Sequence, residues 1–293
     1  MRVKESAVKK ALRALMGSEI RIRMEAAEGE LPVGASRIGG APDGPAGFTW
    51  PYYEIEDEEG AFSVPLAFLG QFDLAEAAPL DEAGLLPKEG LLSFWYELQT
   101  CPMGFGPADL GAARAFLFPA GEALTRMEAP EDLPEECRIG ACRVAMTKEV
   151  SLPAFPDFPI PDDWEEELAA SVYERSRELL GYDEDLWGFN TKLLGYPDTI
   201  TDPMEWVCEA VSRDVSLYDE GEDEALFDLS EDLLEEIDEG CEDWVLLFQL
   251  GTVEERDFDL EFGSCGHLYF WIRRQDLAAG RFDRVQAVLQ SRD

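Results

Sequence analysis

A glycine–proline turn that occurs twice limits the folds open to this chain. Ser36-Arg37-Ile38-Gly39-Gly40-Ala41-Pro42-Asp43 is echoed by Thr191-Lys192-Leu193-Leu194-Gly195-Tyr196-Pro197-Asp198. Both run from a polar start through a base and an apolar residue to Gly-x-Pro-Asp. Glycine opens positive φ and proline fixes φ, so neither stretch continues a regular ladder. Two more echoes follow in the same order. Leu66-Ala67-Phe68-Leu69-Gly70-Gln71-Phe72 matches Trp244-Val245-Leu246-Leu247-Phe248-Gln249-Leu250, and Gly90-Leu91-Leu92-Ser93-Phe94-Trp95 matches Gly266-His267-Leu268-Tyr269-Phe270-Trp271. The last two recur at nearly equal separation, and the first is displaced by an insertion that contains the acidic stretch near 214–243. Three ordered echoes predict an internal duplication. Residues 1–150 form an N-terminal half with the first repeat. Residues 151–293 form a C-terminal half with the second repeat and an acidic helical insertion, the two packed as one compact unit.

Hydrophobic periodicity fills in the elements. Val8, Ala11, Leu12 and Leu15 predict a helix over 4–16. Alternation predicts a strand over 19–24. Apolar runs predict strands at 65–73, 91–98, 113–118, 243–250, 257–262, 267–272 and 286–289. A helix is expected at 163–180, with Trp164, Leu168 and Val172 on one face and Gly181 after it, and another over 204–217. Four prolines in 151–161 read as a linker between the halves. The fold class is therefore α+β, with mainly antiparallel sheets.

Sixty-three acids against 24 bases give a net charge of −39. Such a field repels nucleic acid and anionic membranes and attracts a basic partner. No run approaches the roughly 20 apolar residues of a membrane span, and Met1–Met16 lacks the continuous apolar core of a signal peptide. Six scattered cysteines without a Cys-x-x-Cys pair fit reduced thiols and a cytoplasmic address, with neither a disulfide framework nor structural zinc. The single histidine, His267, excludes multi-histidine metal sites and most hydrolase triads. No catalytic residue, metal site or cofactor is assigned.

Several groups are candidates for chemistry. Arg37 and Lys192, with backbone N–H groups around Gly40 and Gly195, suit a carboxylate or phosphate. Gln71 and Gln249 end apolar strands, where a buried amide either fixes register or faces a ligand. These six are the candidate ligand-binding residues. Cys265 and His267, two apart in a strand, would share a face, the geometry of a thiolate–imidazole pair, although no protease context surrounds them. Asp257, Asp259 and Glu261 alternate, as a cation site or the wet face of a strand would. Leu226, Leu229, Leu233 and Ile237 give an acidic amphipathic helix over 224–239. Its carboxylates Asp223, Glu224, Asp228, Glu231, Asp232, Glu235 and Glu236 are the candidate docking surface for a basic protein.

The same motifs carry a resemblance. Ser36-Arg37-Ile38-Gly39-Gly40-x-Pro42-Asp43 with Trp50-Pro51, Pro65-Leu66-x-Phe68-Leu69-x-Gln71, the run Leu85 to Phe94, Leu193-Leu194-Gly195-Tyr196-Pro197, and Gly266-x-Leu268-Tyr269-Phe270-x-Ile272 followed by Asp276-Leu277 and Phe282 resemble the YwqG-like proteins. This bacterial family has no known function. The resemblance implies an α+β fold with antiparallel sheets, and no reaction or cofactor. Two positions depart from the family pattern: Thr201 stands where a glutamine is expected, and Gly263-Ser264-Cys265-Gly266 where Gly-Asp-x-Gly is expected.

The leading expectation is a non-enzymatic binding protein, in its sharpest form an immunity- or antitoxin-like partner of a basic protein. The rival is a small-molecule binder or enzyme with a cleft between the halves, where Arg37, Gln71, Lys192 and Gln249 would converge.

Overall fold

The computed structural model describes residues 5–27, 29–57, 60–158, 166–180, 190–218, 229–255 and 258–292. Helix α1 (Glu5–Leu15) leads into β1 (Gly17–Ala26). The first glycine turn lies between the short strands β2 (Arg37–Ile38) and β3 (Asp43–Pro45), and β4 (Tyr52–Asp57) and β5 (Gly60–Pro65) form a hairpin. Next come β6 (Ala67–Asp73), α2 (Leu74–Ala77), β7 (Leu91–Tyr96), β8 (Ala113–Phe118), β9 (Leu124–Arg126) and β10 (Cys142–Ser151). The remainder comprises α3 (Glu166–Leu179), β11 (Thr191–Leu193), α4 (Met204–Ser212), α5 (Glu231–Gly240), β12 (Trp244–Leu250), β13 (Val253–Glu255), β14 (Phe258–Leu260), β15 (His267–Arg273), α6 (Arg274–Ala278) and β16 (Gln286–Gln290).

Ten strands make one sheet in the order β16-β15-β12-β11-β1-β10-β2-β6-β7-β8. Every neighbouring pair in it is antiparallel. The expected α+β class with antiparallel strands is the observed one. The sheet curls until its edges β8 and β16 touch, so it is nearly a closed barrel. Its interior is aromatic: Phe94 of β7 lies 4.6 Å from Phe248 of β12 and 5.1 Å from Phe270 of β15, ring centre to ring centre. Phe72, Phe94, Phe248 and Phe270 are all fully buried, and edge-on contacts among such rings add to their area burial.

The outer face is covered in pieces. Helix α4 packs Met204 and Cys208 onto Trp244, Tyr269 and Trp271. The β4–β5 hairpin and Trp50 cover Trp95. Helices α1 and α3 enclose Leu152 and Phe158. This last cluster corrects the linker reading of 151–161: Ser151 ends β10, and Leu152, Ala154 and Phe158 are buried.

Other expectations shift at their edges. The acidic helix begins at Glu231, with Ser230 as N-cap accepting from Leu233 N–H, rather than at 224. Asp223, Glu224, Leu226 and Asp228 lie outside the described residues, as do Trp164, Gly181 and Asp257 and the side chains of Leu168 and Asp259. Among the described residues no helix is long and apolar enough to cross a membrane.

Candidate functional site

The six ligand-binding candidates fall into two clusters of the same construction. In the first, Arg37 of β2 sits opposite Gln71 of β6. Arg37 Nη2 meets Asp43 Oδ2 at 2.6 Å. Gln71 accepts from Asp43 N–H at 3.0 Å and donates to Asp43 Oδ2 at 2.8 Å and to Ala35 O at 3.0 Å. In the second, Lys192 of β11 sits opposite Gln249 of β12. Lys192 Nζ meets Asp198 Oδ2 at 2.9 Å. Gln249 accepts from Asp198 N–H at 2.9 Å and donates to Asp198 Oδ2 at 2.8 Å and to Asn190 O at 2.8 Å. Each turn is thus closed by a base six residues before its aspartate and by the glutamine of the next strand.

Arg37, Gln71, Lys192 and Gln249 are at most 1% exposed. Strands β2 and β11 are separated by β10 and β1, three ladder spacings or about 14 Å along the sheet. The four side chains therefore do not converge in one cleft. Burial pushes the Asp43 carboxyl up, but Arg126, the Gly34 N–H, Gln71 and Arg37 outweigh it and hold its pKa below the ordinary value. Lys192 also reaches Glu19 Oε2 at 3.1 Å, and Glu19 holds Arg21 at 2.7 Å, so the second cluster is an ion network inside the sheet. Gly40 and Gly195 sit at positive φ, +71° and +79°. A Cβ on Gly195 would stand 2.6 Å from Ser151 Oγ, so this turn is packed onto β10.

Cys265 and His267 do not pair. Cys265 precedes β15 with φ +55° and is exposed, whereas His267 is fully buried. Both ring nitrogens of His267 lack a hydrogen-bond partner, and burial pushes its pKa down to about 4. Among the described residues no cluster of histidine, cysteine or carboxylate side chains could hold a metal ion.

The open features lie around α4. Glu209, 2% exposed, accepts from Arg213 Nε (2.8 Å), Arg273 Nη2 (2.6 Å) and Trp244 Nε1 (2.8 Å), which fixes α4 to the sheet. Arg213 Nη1 then binds Glu236 at 2.5 Å and ties α5 to α4. Glu236 is therefore a structural partner; it is exposed, as are Glu231, Asp232 and Glu235.

Between these helices runs a groove of about 930 Å³. Its apolar residues include Phe158, Trp206, Val207 and Leu217; among the described residues its charged ones are Asp157, Asp202, Glu205, Asp238 and Glu242, with no lysine or arginine. Burial raises Glu205 to about 7 and Asp157 to about 6. Asp157 Oδ1 is buried without a partner. Sequence reasoning placed acid on α5 but missed this groove. Glu231, Glu235, Asp238 and Glu242 recur at helical spacing, a signal that leads from α5 to its rim. Asp202, Glu205 and Trp206 sit around Pro203 at the start of α4, where a sequence gives no cue to what packs beside them.

A comparison with curated proteins finds none that matches the chain. A family profile described as a domain of unknown function (DUF1963) matches residues 36–291, from the first glycine turn to the last strand. The chain belongs to that family.

Proposed function

We propose that this protein is a non-enzymatic binding protein whose acid-rimmed groove between α4 and α5 receives a basic segment of another protein. The observation that carries this reading is the lining of the groove: an apolar floor with Trp206 and Phe158 and, among the described residues, five carboxylates and no base. A helix with one lysine-rich face and one apolar face complements both parts. The net charge of −39 adds long-range attraction for such a partner. Two carboxyls with raised pKa values favour a cation further, because a bound ammonium or guanidinium group relieves the cost of their burial.

An immunity- or antitoxin-like role in a bacterial cytoplasm fits this reading, as does the YwqG-like resemblance of the glycine turns. We also read the two closed turns as products of one duplication. They share the base–Asp–Gln bonds and a bulge in the following strand pair, between Phe68 and Gly70 and between Leu246 and Phe248. On this reading the first half keeps the scaffold, and the inserted α5 region gives the second half its docking surface.

The test is a titration with a labelled amphipathic helix of leucine and lysine, followed by fluorescence anisotropy. Affinity should fall with added salt and drop about tenfold or more when Asp202, Asp238 and Glu242 are neutralised to Asn, Asn and Gln. The control neutralises three exposed acids elsewhere, Glu122, Glu128 and Glu131. Equal losses in both variants would mean that only net charge matters and would refute the groove.

A further inference from the structure

The second repeat contains a gap that the first has filled. Strand β11 stops at Leu193, and the chain leaves through Leu194 (φ +59°) and Gly195 (φ +79°). Its neighbours continue: β1 back to Gly17 and β12 back to Trp244. The sheet is therefore open between the starts of β1 and β12. A cavity of about 880 Å³ lies there, lined by Gly17, Ser18, Tyr196, Leu246, Trp271 and Glu205 among others. In the first repeat β2 stops at Ile38 and leaves through Gly39 and Gly40, both at positive φ. The exits match in detail: Gly39 N–H donates to Leu69 O at 2.8 Å, and Leu194 N–H donates to Leu247 O at 3.3 Å. There, however, Leu133, Cys137 and Ile139 line the opening, and only about 210 Å³ remains.

Trp95 and Trp271 mark the same contrast. Each closes the motif that begins at Gly90 or Gly266. Trp95 is packed edge-on by Trp50, and its Nε1 donates to Ser93 Oγ at 3.1 Å. In the second repeat Tyr269 stands where Ser93 stands, and its hydroxyl donates to Asp198 O. Trp271 is 1% exposed, and its Nε1 is buried without a partner. A buried N–H donor without an acceptor costs about 1–3 kcal/mol, and the residue that carries it lines a cavity large enough for a small molecule.

We propose that this slot is a small-molecule site for an uncharged, planar, largely apolar molecule whose oxygen acceptor takes the Trp271 indole N–H. Tyr196, half-buried, supplies a flat wall. The charged groups at the mouth are Asp81, Glu82, Glu149 and Glu205 against Lys148 and Arg274, an excess of carboxylates that disfavours an anion. An ammonium group cannot accept a hydrogen bond, so a cation leaves the indole unsatisfied. The inference is independent of the docking reading, although Glu205 borders both cavities.

Three probes with one ring system separate the possibilities: naphthalene-2-carboxamide, naphthalene-2-carboxylate and naphthalen-2-ylmethylammonium. Each is titrated into ¹⁵N-labelled full-length protein, with the indole N–H resonance of Trp271 assigned by Trp271→Phe. The carboxamide should move that resonance and bind about tenfold or more tightly than either charged probe. Trp271→Phe, which keeps the ring bulk, should weaken the carboxamide about fivefold or more, and Ser18→Phe at the slot should abolish its binding. An unmoved Trp271 resonance, equal binding of a charged probe, or undiminished binding to the Ser18→Phe protein would overturn the proposal.

Discussion

Gln71 holds Asp43 at two points, accepting from its backbone N–H at 3.0 Å and donating to its carboxylate at 2.8 Å. Gln249 holds Asp198 in the same way. All four residues are at most 2% exposed, so neither bond has water as a substitute. Gln71→Leu or Gln249→Leu would strand an aspartate N–H and a backbone carbonyl in the interior and take one donor from the carboxylate. Each variant should lose about 3 kcal/mol or more in urea unfolding. A loss below about 1 kcal/mol would show that the turns close without the amides.

Lys192 bridges two buried carboxylates, Glu19 at 3.1 Å and Asp198 at 2.9 Å. Removing one partner of a buried ion network leaves uncompensated charge, at a cost of about 3–5 kcal/mol. Lys192→Met should therefore destabilise by that amount, read from the shift in denaturation midpoint. A near-neutral result would contradict the role given to this network.

In the echoed motifs that open at Gly90 and Gly266, His267 stands where Leu91 stands, and neither of its ring nitrogens has a partner. His267→Leu should stabilise the protein by about 1 kcal/mol or more at neutral pH, since it removes two unsatisfied polar atoms from the core. The histidine's folded pKa, about 4, lies below its ordinary 6.5. The native state thus binds fewer protons than the unfolded chain between those values, and His267 costs stability as pH falls from about 6.5 towards 4. His267→Leu should flatten that part of the melting-temperature profile; a lower melting temperature at neutral pH would mean that the imidazole makes a bond of its own.

Glu205 produces the opposite slope. Its folded pKa, about 7, lies above the ordinary 4.5. The native state holds the extra proton in that window, so stability falls as pH rises from about 4.5 to 7 and stays lower above it. Glu205→Gln should raise the melting temperature at pH 8 and leave it unchanged near pH 4. An equal shift at both pH values would rule out ionisation as the cause.

What the sequence made legible follows from residue type. The strands β6, β8, β12 and β15 are dense apolar runs, and Ala113–Phe118 matches its predicted bounds. The Gly-x-Pro-Asp turns were visible because glycine and proline act locally. Strand β10, at the centre of the sheet, was missed, because Cys142–Ser151 has Thr147, Lys148 and Glu149 where a continuous apolar run would be expected. Strands β2 and β11 span two and three residues, too few for any period, and exist because longer neighbours pair with them. The Cys265–His267 pairing failed at one dihedral, the positive φ of Cys265, which ends the alternation before β15 begins. The groove and the slot were invisible for a further reason: Glu205, Trp206 and Trp271 acquire their surroundings from segments distant in sequence.

Backbone hydrogen exchange with the leucine–lysine helix bound tests most directly the proposed binding of a basic partner in the groove between α4 and α5. Protection should appear in 201–217 and 229–243, the segments that carry Asp202, Trp206, Leu217, Asp238 and Glu242, and should disappear at high salt. The acidic surface over 120–136 should exchange as before. Protection spread evenly over both regions, or confined to 120–136, would contradict the account.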